Sequence, residues 1–140
     1  MTMKTHAAIL LILMVVGLTG LVNAQMSTTM IKAQVPFDFV ANGKTMPAGE
    51  CIITVPYTGQ KVLSITSGKQ HAFAFSIANE SRNESKETAL VFHRYGDRYF
   101  LAGIKREGRT GYELPASRLE GELQARNVAE EVFTLLASAK

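Results

Sequence analysis

The sequence predicts a mainly β fold, a small antiparallel sandwich or partly open barrel of about six strands with a C-terminal helix. From Val35 to Ile104, short apolar runs alternate with turn residues, as is typical of antiparallel sheets. After Pro115 the spacing of apolar residues changes to that of a helix. The only cysteine, Cys51, cannot close an intramolecular disulfide, so we expect packing alone to hold the fold, with Cys51 as a small core residue.

Residues 1–24 have the three parts of an export signal in the required order. Lys4 gives a positive start, residues 7–22 an apolar run, and small residues ending at Ala24 a cleavage site. We therefore expect an exported protein, periplasmic or secreted, whose mature chain begins at Gln25. The alternative is a retained membrane anchor, although the apolar run of 16 residues is shorter than the roughly 20 that a spanning helix needs.

The charge of the mature chain excludes some partners. Removing Lys4 from the 15 lysines and arginines leaves 14 basic against 12 acidic side chains, and the basic ones are spread along the chain. Near balance without a basic stripe argues against a nucleic acid or an acidic membrane as partner. We expect membrane contact only if the first segment is retained. No cofactor is expected, because glycine-rich dinucleotide and phosphate-loop patterns are absent.

The predicted β-domain, residues 25–114, begins with strands separated by recognisable turns. Residues 35–41 alternate as a half-buried strand, and Asn42-Gly43 supplies the positive φ angles of a tight hairpin turn. Residues 51–55 are rich in β-branched side chains, which favours a strand. Farther on, "QHAFAFSIA" places large residues on one face and small ones on the other, an alternation that suits sheet packing: Phe73, Phe75 and Ile77 against Ala72, Ala74 and Ser76.

Residues 115–140 are predicted to form the C-terminal helix, packed on the sheet or projecting from it. Ser117 and Glu120 form a capping box at its start, and the helix would run from about Ser117 to Ser138. Gly121 and Asn127 weaken it, with a break expected near Asn127. The helix would carry one apolar stripe, made of Ala125, Ala129, Val132, Phe133 and Leu136.

The stretch "HRYGDRYF", residues 93–100, concentrates polar and aromatic groups around a predicted hairpin. Gly96-Asp97 suits the centre of a type II′ turn, with glycine in its first position. Adjacent side chains then alternate between faces, which splits the polar cluster across two surfaces. The predicted pairs are Tyr95 with Arg98, Arg94 with Tyr99, His93 with Phe100 and Phe92 with Leu101. The candidate surface site at this hairpin is His93, Arg94, Asp97, Arg98 and Tyr99.

No catalytic residue and no metal site are predicted. A hydrolytic triad needs a Ser or Cys nucleophile beside its base, and none with elbow glycines lies near His93. We therefore expect His93 to pack on Phe100, with general-base catalysis as the alternative. The mature chain offers only His71 and His93 as histidine ligands, with no close Cys or His spacing.

The order of several motifs resembles that of a family of small exported bacterial proteins with no assigned function. A PFDF strand, a PAGE turn, an FHRYGDRYFL hairpin and an ELP helix start occur in that order over about residues 34–123. The resemblance implies a mostly β domain behind a signal peptide, and it brings no activity, cofactor or site residue. The chain departs from the pattern at Cys51 and in its apolar tail beyond Asn127.

Export, one β-domain and the lack of a catalytic set favour a non-enzymatic envelope or extracellular binding or interaction module. Its partner is unidentified, with an envelope protein or a second copy as candidates. Apolar pairs on both sides of the hairpin suggest that a second layer or a partner covers one side. Two alternatives stay open: an extracytoplasmic hydrolase that uses His93, and a membrane-tethered structural protein with an uncleaved first helix.

Overall fold

The computed structural model describes residues 28–56, 61–79 and 85–140 and shows two β-sheets packed face to face, not closed into a barrel. The mainly β prediction is confirmed, and the sandwich rather than the barrel is the form observed. The expected export segment, residues 1–24, lies outside the described residues. In the part of the chain that is described, no helix has the length and apolar character to cross a membrane.

The described ranges contain more strands than the six expected, because several are only two or three residues long. In chain order the elements are β1 (Thr28–Val35), β2 (Phe39–Ala41), β3 (Lys44–Met46), β4 (Gly49–Pro56), β5 (Val62–Ser67), β6 (Gln70–Phe75), β7 (Ile77–Asn79), β8 (Ala89–Tyr95), β9 (Arg98–Arg106), β10 (Arg109–Glu113), α1 (Arg118–Ala125), β11 (Glu131–Leu136) and β12 (Ser138–Ala139).

The strands form two sheets, which we call sheet I and sheet II. Sheet I has the order β12-β1-β4-β5-β6, and each neighbouring pair is antiparallel. Sheet II has the order β11-β8-β9-β10-β7, also antiparallel. The short β2–β3 hairpin joins sheet II through a parallel contact between Val40 and Phe100.

Two predicted hairpin turns are present with the expected backbone. Asn42 and Gly43 have φ angles of 48° and 78°, the two positive values of a type I′ turn. Gly96 has a φ of 60° while that of Asp97 is not positive, as in a type II′ turn. All four predicted pairs across the Gly96-Asp97 hairpin are observed.

The core lies between the two sheets. Cys51 is fully buried there, as expected of a small core residue, and burial raises the pKa of its thiol to about 12. Each large apolar side chain buried in such a core contributes roughly 1.5 to 3 kcal/mol. The largest fully buried members are Phe39, Phe92, Ile31, Met46, Ile53, Leu63, Ile65, Leu90 and Ile104.

Strand β6 turns its small side chains inward and its large ones outward. Ala72 and Ala74 stand opposite the buried Ile65 and Leu63 of β5. The tight turn between β5 and β6 fixes this register, and the β2–β3 hairpin contacts β6. As a result, the Phe73 and Phe75 side chains are 64% and 70% exposed. Ile77, the third large residue of the predicted set, lies in β7 of sheet II and is 58% exposed.

The helix prediction is wrong beyond Ala125. The predicted break occurs at Asn127, which adopts a positive φ of 55°. The chain then continues as β11, which pairs with β8, and β12, which pairs with β1. Apart from Glu131, the residues of β11 are β-branched or apolar. Pairing with β11 also satisfies backbone groups of β8, which a projecting helix would leave without partners. The predicted helical stripe therefore does not form. Ala125 ends α1, Ala129 lies between α1 and β11, and on β11 Phe133 points to the opposite face from Val132 and Leu136.

Candidate binding cleft on sheet II

Helix α1 covers part of the outer face of sheet II. Ser117 caps it by accepting a hydrogen bond from the Glu120 backbone N at 3.3 Å, as the capping pattern predicts. Leu119 and Leu123 pack on Tyr95 and Phe100. One side of the β8–β9 hairpin thus faces sheet I and the other faces α1. The second layer expected over this hairpin is supplied by the chain itself.

A polar network joins α1 to β8. The Glu120 side chain is 3% exposed and does not return to its cap, and its Oε1 lies 2.7 Å from His93 Nδ1. The same oxygen lies 3.1 Å from the Tyr95 hydroxyl, which is 2.7 Å from Glu130 Oε2 and accepts a bond from Gln124. The hydroxyl has one proton, so it donates to one carboxylate at a time, and the shorter contact is to Glu130.

The electrostatics of the network keep Tyr95 neutral. Burial, and after it the hydrogen bond to Glu130, raises the pKa of the Tyr95 hydroxyl well above its ordinary value. His93 lies between two carboxylates, because its Nε2 is 3.7 Å from Glu130 Oε1. Within the described residues, every buried side-chain nitrogen or oxygen has a hydrogen-bond partner. The network therefore fixes α1 and the start of β11 against the hairpin.

An open cleft of about 520 Å³ lies beside this network. Val91, Ala102 and Gly103 line it with small side chains, and His93 borders it. The register of β8 and β9 shifts at Val91, so Ala102 is an extra residue in the ladder. A Cβ at Gly103 would lie 2.9 Å from the carbonyl oxygen of Tyr112, so a side chain there would push β9 and β10 apart.

Basic side chains line the remainder of the cleft. Lys105 and Arg109 are exposed there, and Arg106 donates to the Tyr112 hydroxyl at 2.9 Å with its guanidinium 5.4 Å from the ring centre. Glu113 is the one acidic residue among the described lining residues. The cleft thus combines a small apolar floor with positive charge, a pattern suited to an anion that carries an apolar part.

The predicted hairpin site does not assemble as a unit. His93 faces the cleft and α1, whereas Arg94 and Tyr99 lie on the opposite face, 5.6 Å apart in the predicted cation–π contact. Arg94 also donates to the Gly96 carbonyl at 2.8 Å and to Glu131 at 3.3 Å. Asp97 and Arg98 are exposed at the turn. Of the five predicted residues, His93 alone lines the cleft.

Sequence reasoning missed the partners of His93. The network depends on Glu120 and Gln124, which are four residues apart and therefore share one face of α1. The spacing of Glu120 and Gln124 can be read from the sequence. The capping pattern already accounts for Glu120, however, so the sequence does not point to a contact with His93. The sequence predicts Glu130 inside the helix, whereas in the structure it lies between α1 and β11, where it accepts a hydrogen bond from Tyr95. Over residues 28–56, 61–79 and 85–140, no group of three or more His, Cys, Asp or Glu side chains could hold a metal ion.

No family model, curated protein or solved structure matches this chain. The resemblance to small exported bacterial proteins consequently stays a prediction from sequence motifs.

Proposed function

We propose that this protein is an exported, non-enzymatic binding module that takes a small organic anion with an apolar part into the cleft on sheet II. The observation that carries the proposal is the lining of this cleft, which joins a floor of small residues to three basic side chains. Export is supported by the signal-like order of residues 1–24. An envelope protein or a second copy stays a candidate partner for other surfaces.

The size of the cleft supports a small ligand. Its volume of about 520 Å³ falls in the range of small-molecule sites, which are lined mainly by apolar groups with a few placed polar ones. Val91, Ala102 and Leu114 supply the apolar part. The bulge at Ala102 is a feature often found beside binding sites, because it locally bends the sheet.

The arrangement of charge supports an anion. Arg106 and Arg109 stand opposite each other in the β9–β10 ladder, and Lys105 adjoins Arg106. Like charges placed opposite each other destabilise a sheet. An anion bound between them would offset that repulsion and gain charge-assisted hydrogen bonds.

The environment of His93 supports a binding role over catalysis. Its Nδ1 contacts Glu120, and its Nε2 faces a second carboxylate, Glu130. The hydroxyl in the network belongs to Tyr95, whose raised pKa opposes its use as a nucleophile. Ser85 lines the cleft, but its hydroxyl donates to the Glu87 carbonyl at 2.7 Å.

The test is a fluorescence titration with anilinonaphthalene sulfonate, an aromatic sulfonate that emits strongly in apolar sites. Lys105→Gln with Arg109→Gln should weaken binding roughly fivefold to thirtyfold, at about 0.5 to 1 kcal/mol for each exposed charge. Arg98→Gln, which removes an exposed charge at the hairpin turn, is the matched control. Equal affinity in all variants would contradict the proposal.

One observation favours a second function, a hydrolase. The 2.7 Å contact of His93 Nδ1 with Glu120 is the geometry of a base and its orienting carboxylate beside a cleft. The binding proposal predicts that p-nitrophenyl esters are hydrolysed at the same rate with and without the protein. A rate enhancement that His93→Gln abolishes, in a variant that still folds, would establish the hydrolase instead.

A further inference from the structure

Exposed apolar side chains gather on the outer face of sheet I. The pairing register places Met30, 43% exposed, in one row with Phe73, across Thr54 and Ser64. Phe75 lies two residues beyond Phe73 and pairs with Val62. Two exposed rings on the same side of one strand, Phe73 and Phe75, mark this end of the face as an interaction surface.

Lysines surround this apolar row. Lys32 lies in the next row of the sheet, across Ile52 and Thr66 from His71. Lys44 reaches the edge of β6, where its Nζ donates to the His71 carbonyl at 2.8 Å. Lys61 directly precedes β5, and Lys69 lies in the turn before β6. The pairing register brings Lys32 to the outer face and Lys44 to its β6 edge, although the two are separate in sequence, while Lys61 and Lys69 flank β5 at its two ends.

Few acidic residues oppose these lysines. Residues 28–56 and 61–79 contain two, Asp38 and Glu50. Asp38 accepts a hydrogen bond from the Ala48 backbone N at 2.8 Å, which ties it to the turn after β3. Glu50 is exposed on the same outer face as Lys32, because both lie on the side of the sheet opposite the buried Cys51. Four lysines against these two carboxylates leave this part of the chain with a net charge of +2.

We propose that the outer face of sheet I binds the surface of an anionic lipid membrane. Phe73 and Phe75 would insert at the level of the headgroups, and the four lysines would contact lipid phosphates. Apolar rings flanked by basic side chains are the combination that holds peripheral proteins on anionic bilayers. This inference goes beyond the cleft, and it requires no retained first segment.

The edge of β6 argues against a partner that adds a strand. Strand addition needs free backbone groups along an edge. Asn42 Nδ2 donates to the Phe73 carbonyl at 2.7 Å, and Lys44 occupies the His71 carbonyl. Side chains that cover an edge in this way oppose edge-to-edge pairing. The partner must therefore meet the face of the sheet.

Charge argues against a second copy as that partner. A symmetric dimer through this face would bring the same patch of each copy together. The four lysines of one copy would then approach those of the other, and like charges repel. A bilayer that carries phosphates at its surface matches both the lysines and the phenylalanine rings.

The test is flotation of the protein with vesicles of phosphatidylglycerol and phosphatidylcholine in equal parts, compared with pure phosphatidylcholine. The protein is the form recovered after export, with its N-terminus determined first. We expect binding to the anionic vesicles alone, falling as salt is added. Phe73→Ser with Phe75→Ser should lower the partition coefficient between vesicles and water roughly tenfold or more, because the two rings that would insert into the bilayer are lost.

Two control variants separate this face from the cleft. Val132→Ser with Leu136→Ser removes side chains that are 65% and 64% exposed on sheet II, and it should leave vesicle binding unchanged. Lys32→Gln with Lys69→Gln should weaken binding roughly fivefold per lysine, whereas Lys105→Gln with Arg109→Gln should not.

Four results would overturn the proposal, and the first three concern the vesicles and the oligomeric state. One is equal flotation of the unchanged protein and the variant with Phe73→Ser and Phe75→Ser, and another is equal binding to both vesicle types. The third is a dimer of the unchanged protein in sedimentation that becomes a monomer in this variant, with flotation of neither. Soluble polyglutamate that binds as tightly as the vesicles, and loses that binding in the same variant, would assign the face to an acidic protein instead.

Discussion

The outer faces of the two sheets differ in how far the rest of the chain covers them. On sheet II, α1 covers Tyr95 and Phe100, and the buried polar groups beneath it bond to one another. On sheet I, Phe73 and Phe75 project from β6 with most of their surface in water. The helix covers the part of sheet II at the β8–β9 hairpin, although Val132 and Leu136 of β11 stay 65% and 64% exposed, and no helix of the described residues covers sheet I. The register of β6 therefore sets the exposure of Phe73 and Phe75, and rings exposed in this way suit contact with an external surface.

The largest predicted effect is the difference in stability between removing a buried phenylalanine ring and removing an exposed one. Phe92→Ala removes a fully buried ring that contacts Phe37 and Phe39, and it should lower the free energy of unfolding by about 3 to 5 kcal/mol. Phe75→Ala removes a ring that is 70% exposed and should change it by about 0.5 kcal/mol or less. Urea denaturation measures both, and similar losses would remove the contrast between the faces.

Several parts of the fold were predictable because local chemistry decides them. Asn42-Gly43 and Gly96-Asp97 set their hairpins through the backbone freedom of those residues, and register follows from each turn. Ser117 likewise marks the start of α1. Where a turn or cap is local, short-range pattern is enough.

The remainder depends on tertiary context. The alternation of β6 is equally regular with Phe73 or Ala72 inward, and the choice is made by Leu63 and Ile65 on the neighbouring strand. The tail after Asn127 has both helical and strand character, and β8 selects the strand by offering an unpaired edge. The Glu120 contact with His93 arises between residues 27 positions apart, which no local pattern encodes.

The second-largest predicted effect on stability concerns the polar network between α1 and β8 on sheet II. Glu120→Ala should lower the free energy of unfolding by about 1 to 3 kcal/mol, because His93 and Tyr95 lose a buried partner. Glu122→Ala is the control on the same helix, since its contact with Arg118 is a surface pair worth about 0.5 kcal/mol. Equal effects in chemical denaturation would show that the network adds no stability to sheet II.

A third effect should appear at alkaline pH. The pKa of Cys51 is raised by burial to about 12, and that of Tyr95 is also raised, so both groups stay protonated in the folded state after the unfolded chain has begun to ionise. Stability should therefore hold below about pH 9 and fall as pH rises toward 12, by up to about 1.4 kcal/mol per pH unit for each group.

Single substitutions assign the alkaline effect to the two sheets. Cys51→Ala removes the contribution from the core side of sheet I, and Tyr95→Phe removes the one from beneath α1 on sheet II. Each should flatten the fall of unfolding free energy with pH, measured by urea denaturation at a series of pH values. An unchanged slope in both variants would contradict the assignment.

The smallest effect belongs to the hairpin. Arg94→Gln should cost about 0.5 to 1 kcal/mol, because the cation–π contact with Tyr99 is partly exposed. Arg98→Gln at the exposed turn should cost less than about 0.5 kcal/mol. Thermal denaturation of the two variants resolves the order, and the reverse order would mean that the contact with Tyr99 is not stabilising.

One spectroscopic measurement tests the contrast between the faces most directly. The chain contains no tryptophan, so Phe75→Trp would introduce a single reporter on the outer face of sheet I. We predict emission typical of an indole in water and strong quenching by acrylamide in the free protein, then a blue shift and loss of quenching with phosphatidylglycerol vesicles. A reporter already blue-shifted and protected in the free, folded monomer would contradict the account.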